Sequence, residues 1–238
     1  MNLLVVQHQE TCPPGRVGEW LGEMGVALDV RRPYAGEPLP TDLTAHDGLL
    51  VLGGQMGCHD DETAPWLTAA RELIRTAAEG AVPTLGICLG HQLASVALGG
   101  EAGRNDTGRT VGMFTANGTA ALDEDEVLAG AAGAPVVQWN DDVVTRLPSG
   151  ATALATNERG DLLLARLAPT VWGVQGHPEA DRTIVARWAE KDLGSAAPAD
   201  IDVPAVLASI EGAQATVDAA WRPVVVAFVH RLGSVEQI

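Results

Sequence analysis

Pro83-Thr84-Leu85-Gly86-Ile87-Cys88-Leu89-Gly90-His91-Gln92-Leu93-Ala94 decides the fold. A short apolar run leads straight into a cysteine with a glycine two residues away on either side, and a helix-forming stretch starts at once. Gly-x-Cys-x-Gly in that setting has the form of a nucleophile elbow, a tight strand-to-helix turn that lifts a reactive side chain above the carboxyl edge of a sheet. The glycines tolerate the close backbone approach that such a turn needs. The positive end of the helix dipole favours a thiolate, and the first helical amides can hold a developing oxyanion. Most free cysteines are inert small hydrophobes. Cys12, beside Pro13-Pro14, and Cys58, in a polar loop, read that way, whereas Cys88 reads as a nucleophile.

Outward from this segment, strand-like runs at 3–7, 26–31, 48–52 and 83–87 alternate with helical patterns at 16–24 and 65–79. The second helical pattern keeps Leu67, Ala70, Leu73, Ile74 and Ala77 on one stripe. The alternation predicts an α/β fold of three layers around a doubly wound, mostly parallel sheet of the flavodoxin-like kind. Shorter runs at 136–139, 151–155, 162–167 and 171–175, separated by turn residues, predict a small antiparallel extension. A helix near 183–192 and a loop rich in Ala, Pro and Asp should follow, then one or two helices over 204–232, kinked or split at Pro223. We therefore expect a domain at 1–195 and, packed on it, a C-terminal helical segment at 196–238.

The charge balance excludes several classes of partner. With 15 basic and 31 acidic residues the net charge is −16, which repels a phosphate backbone or an anionic membrane surface. We expect neither nucleic-acid nor membrane binding. Met1-Asn2-Leu3-Leu4-Val5-Val6 lacks a basic leader region and reads as a first strand. No apolar run approaches the roughly 18 residues of a membrane helix. Three cysteines are too few for a disulfide framework and point to a reducing cytoplasm.

A thiol nucleophile needs a proton acceptor, and the leaving group needs a donor; a histidine oriented by a third group supplies both. Among six histidines, His177 follows a strand-like run, so Gly176-His177-Pro178-Glu179 begins at the sheet edge where ligands bind in open α/β folds. Glu179, past a rigid proline, can turn back to the imidazole. His8, His46, His91 and His230 have structural readings. Cys58-His59-Asp60-Asp61-Glu62 has metal-ligand residue types, but metal sites gather ligands from spaced positions, so we expect no metal there. No cofactor is expected.

Together these motifs resemble the class I (triad) glutamine amidotransferases over roughly 49–180. Gly86-Ile87-Cys88-Leu89-Gly90-His91-Gln92 matches the family's nucleophile motif and Gly173-Val174-Gln175-Gly176-His177-Pro178-Glu179 its base motif. The resemblance implies a catalytic triad of Cys88, His177 and Glu179. Gly53-Gly54-Gln55 is similar to the family's Gly-Gly-Pro loop, which implies oxyanion donors on Gly54 and Leu89, with Gln55 in place of proline leaving the loop less rigid. Substrate binding by Gly53, Gln92, Trp139, Asn140, Asp141 and Asp142 is implied in the same way. Asn140 and Asp141 depart from the His-Gly of the GMP-synthase-like branch, and added carboxylate there could strengthen recognition of a substrate's α-ammonium or change the substrate.

The implied activity is attack by Cys88 on the side-chain amide of glutamine, through a glutamyl thioester, releasing ammonia for a partner synthetase subunit. No synthetase domain and no Gly-rich phosphate loop with a lysine is present in the sequence. Two alternatives stand beside it: a γ-glutamyl peptide or amide hydrolase with water as acceptor, and a non-catalytic ligand-binding module on the same fold. The acidic surface and the tail could serve a partner or a homodimer, although a solvated face and a cover over the sheet is the preferred reading.

Overall fold

The computed structural model describes residues 1–193 and 201–233. In chain order its elements are β1 (Asn2–Val6), α1 (Gly15–Glu23), β2 (Ala27–Arg31), β3 (Gly48–Val51), α2 (Trp66–Glu79), β4 (Thr84–Ile87), α3 (Leu89–Ala97), β5 (Glu101–Arg104), β6 (Thr110–Thr115), β7 (Asn117–Gly118), α4 (Ala120–Asp123), β8 (Pro135–Asn140), β9 (Asp142–Arg146), β10 (Thr152–Thr156), β11 (Leu162–Ala168), β12 (Val171–Val174), α5 (Arg182–Leu193) and α6 (Val203–Leu232). Eight strands form one sheet in the order β2-β1-β3-β4-β12-β11-β10-β7. The five strands from β2 to β12 run parallel, and β11, β10 and β7 continue the sheet antiparallel. Two antiparallel ribbons, β5-β9 and β6-β8, stand apart from it.

Burial explains why the strands read so clearly. Residues 3–6, 49–51 and 84–87 are covered on both faces, so their sequences are unbroken apolar runs rather than alternating ones. One face packs on the stripe of α2, Leu67, Ala70, Leu73, Ile74 and Ala77, together with Leu89 and Leu93 of α3. The other packs on Val17, Trp20 and Leu21 of α1 and on α6.

Of the two forms expected at Pro223, the split does not occur: α6 is one helix of 30 residues. Asp202 caps its start by accepting a hydrogen bond from the Ala205 amide, 3.0 Å. Beyond the cap, burial of Val217, Trp221, Val224, Val225, Phe228 and Leu232 holds one face to the core, and Trp221 Nε1 donates to the Pro135 carbonyl, 2.9 Å. Pro223 sits on the exposed side, where the defect it introduces is outweighed by this packing. Pro223→Ala should restore the missing backbone hydrogen bond and raise stability by about 1–3 kcal/mol, read as a higher denaturation midpoint. The Ala-, Pro- and Asp-rich stretch, and with it the expected domain boundary, lies at 194–200, outside the described residues. Among the described residues no helix is long and apolar enough to cross a membrane.

Candidate active site

β4 and β12 are parallel neighbours with Val174 opposite Ile87, so the residues that follow both strands emerge side by side at the carboxyl edge. Cys88 occupies the turn between β4 and α3 with φ 51° and ψ −106°, a left-handed conformation that costs an L-residue roughly 1–3 kcal/mol. Its amide donates to the Val174 carbonyl, 2.8 Å, and the side-chain amide of Gln175 lies 3.6 Å from its sulfur. Gly90 makes the turn sterically feasible, because a Cβ there would collide with the Val51 carbonyl of β3. Leu89 opens α3, so its N–H is one of the helix-terminal donors that no earlier turn can accept.

His177 follows β12, and its amide donates to the Val137 carbonyl of β8, 2.7 Å. Its Nδ1 lies 2.7 Å from Glu179 Oε1, with both side chains almost fully buried. Burial alone would lower the imidazole's pKa, but the charges of Glu179 and Cys88, with their hydrogen bonds, outweigh it and raise it well above the ordinary histidine value. The Glu179 main chain is fixed as well: its carbonyl accepts from the Arg16 amide, 3.0 Å, at the start of α1. The indole of Trp188, from α5, covers the imidazole with ring centres 4.6 Å apart.

Gly53 lies beneath His177, where a Cβ would stand 3.0 Å from Cε1 and 3.6 Å from the Cys88 Cβ. Gly54 faces the cavity beside Leu89. The loop is held without proline: Gln55 keeps an N–H that proline lacks, and buried Gln9 accepts it at 3.0 Å. The expectation of a less rigid loop from Gln55 overlooked this brace. The other side of the loop rests on His8, a fully buried neutral imidazole whose pKa burial lowers to about 3 and whose Nδ1 accepts from Trp66 Nε1, 3.1 Å.

Cys88 and His177 open into a cavity of about 620 Å³. Gln92, Trp139, Asn140, Asp141 and Asp142 all reach its wall, whereas Gly53, Leu89 and Glu179 stand behind it. Gln92 Nε2 donates to the Asp142 carbonyl, 2.9 Å, as does Asn140 Nδ2 at 3.1 Å, so both fix the backbone of that segment. The carboxylates of Asp141 and Asp142 share one guanidinium at the cavity wall. Arg104 reaches them at 3.1 and 3.8 Å, and burial pushes the Asp142 carboxyl above its usual range despite that guanidinium.

Several wall residues escaped the sequence reading: Gln9 and Cys12 after β1, Arg104, Arg109, Trp188 and Lys191. For Gln9 and Cys12 a signal existed, since they follow the carboxyl end of a parallel strand as Gly54 and Cys88 do. The 58–62 segment is otherwise employed: Cys58 is buried, with its thiol pushed up to about 11 by burial, and Asp61 pairs with Arg71, 2.6 Å. Among the described residues no group of three or more His, Cys, Asp or Glu is placed to hold a metal ion.

The sequence matches the family profile described as Glutamine amidotransferase class-I over residues 19–187. Gamma-glutamyl peptidase 3 of Arabidopsis thaliana is 28% identical over 171 residues, covering 69% of this chain and 67% of that protein. A subunit of the glutamine-hydrolyzing GMP synthase of Sulfolobus acidocaldarius is 39% identical over 105 residues, covering 43% of this chain and 53% of its own length. The chain thus spans between about half and two thirds of these curated relatives. The crystal structure of a glutamine amidotransferase from Thermotoga maritima superposes with a TM-score of 0.86 at 25% identity, covering 96% of this chain and 98% of that one.

Proposed function

The chain belongs to the class-I glutamine amidotransferases, and from that premise we propose that it hydrolyses the γ-carboxamide of glutamine or of a γ-glutamyl conjugate through a thioester on Cys88. The observation that carries this reading is the buried pair of His177 and Glu179, 2.7 Å apart, beside a cysteine held in a strained elbow. The Cys88 thiolate attacks the amide carbon, forming C–S, while the amide N–H groups of Gly54 and Leu89 receive the oxyanion. The C–N bond then breaks as His177 gives its proton to the departing nitrogen. Water, deprotonated by His177, cleaves the thioester and frees the γ-carboxylate and the thiol. Glu179 keeps the imidazole in one orientation and stabilises its charged form. Assaying glutamine and a panel of γ-glutamyl amides for released amine tests the reading; no release from any of them overturns it.

The raised pKa of His177 carries a sign. Its charged form supplies the proton to the leaving group, so activity falls as pH rises through that pKa. Glu179→Gln removes an attraction that favours the imidazolium, and the alkaline limb of kcat/KM should move to lower pH by about 1–3 units. A full pH profile of wild type and variant reads the shift, and an alkaline limb that stays in place contradicts the assigned pairing.

The likeness to a synthetase subunit supports a second reading, in which glutamine is the substrate and the ammonia passes to a partner protein. Glutaminase activity that rises when a synthetase partner is added would favour it.

A further inference from the structure

On the hydrolase reading, on which this inference rests, the leaving nitrogen must sit against His177, because that imidazolium supplies its proton. Whatever is bonded to the nitrogen therefore extends past His177. The wall there is built from Trp188, against the imidazole, and Trp139, whose ring centre is 6.4 Å from that of Trp188. Lys191 stands one helical turn beyond Trp188, on the same side of α5, and also reaches the cavity. Among the described residues Lys191 makes no ion pair, and the Arg109 guanidinium stacks over the Trp139 ring at 5.6 Å. The acidic groups gather elsewhere, around Gly57, where Asp60 and Asp142 approach each other and Arg104 bridges Asp142 to Asp141.

Such a cavity is polarised. A γ-glutamyl group presents an ammonium and a carboxylate, which match the Asp142 and Arg104 end, and its γ-carbon then reaches Cys88. Ammonia, the leaving group of free glutamine, needs neither an indole wall nor a lysine. A cavity of 620 Å³ is in the range that holds drug-sized ligands, well beyond one amino acid. We infer that the substrates are γ-glutamyl peptides whose leaving amine is an amino acid with a planar or apolar side chain and a free carboxylate. Trp139 and Trp188 take that side chain, and Lys191 is the specificity-determining residue that takes the carboxylate.

The test compares kcat/KM for γ-glutamyl-phenylalanine, for the same compound with its C-terminal carboxylate amidated, and for glutamine. Wild type should favour the acid over its amide by about fivefold, the worth of one partly exposed charge pair. Lys191→Met should bring the acid-to-amide ratio to about one, and Lys191→Glu should invert it. Lys191 is exposed, so neither substitution disturbs the core, which a thermal melt verifies. A wild-type ratio of about one, or a ratio that neither variant moves, overturns the inference while leaving the hydrolase reading in place. Failure of wild type to release amine from any of the three compounds overturns both.

Discussion

Replacing Cys88 by Ala is expected to lower release of amine from glutamine and from every γ-glutamyl amide by at least about 10⁴-fold, with the fold retained. The size follows from the groups that remain. His177, Glu179 and the donors of Gly54 and Leu89 would still polarise a bound amide, but no atom would be in reach of its carbon to form the thioester, and water would have to attack unaided. Cys12 supplies an internal control, because its thiol shares the same cavity. Burial, and then the charges of Glu179 and Cys88, push the Cys12 thiol well above the ordinary value, so it stays protonated and unreactive. A glutamine-analogue electrophile should therefore give one adduct, on Cys88, located by mass spectrometry of the digested protein. Adduct formation on Cys12 instead, or none at all, would remove the covalent mechanism and return the chain to the non-catalytic reading.

The proposed nucleophile and base stand out in the sequence because each is announced by its immediate neighbours. Gly86, Gly90 and the strand before them mark Cys88, and Pro178 and Glu179 mark His177. Their meeting was not legible from either motif alone. It depends on β12 adding to the sheet parallel to β4 although β12 follows a run of antiparallel strands. Lys191 and Trp188 were hidden for a different reason: they belong to α5, whose pattern reads as an ordinary surface helix, and only the path of the chain after Glu179 brings one side of it over the imidazole. The same holds for Arg104 at the end of β5, a strand too short and too rich in Gly and charge to stand out. Pro223 does not split α6, for a general reason. Proline disfavours a helix locally, whereas Trp221 and Phe228 act through the core, and tertiary packing outweighs propensity.

Gly90→Ala is expected to be the most disruptive single-methyl change in the chain's central turn, lowering stability by about 3 kcal/mol or more. A Cβ at this position would overlap the backbone carbonyl of Val51, and neither partner is a flexible side chain that can swing away. Either α3 must move off the sheet or β3 must shift. Movement of α3 carries Leu89 N–H and Cys88 with it, and movement of β3 carries Gly54, so activity should fall on the order of 100-fold even in the folded fraction. Gly22→Ala gives the opposite sign with the same methyl group. Gly22 lies within α1 with open space where its Cβ would stand, and an alanine there should stabilise by about 0.4–1 kcal/mol by restricting the unfolded chain. Denaturant unfolding of both variants, with the rate of Cys88 labelling measured alongside, separates the two effects. If Gly90→Ala were as stable and as quickly labelled as wild type, the close crossing of α3 over β3 could not be what sets Cys88 in place.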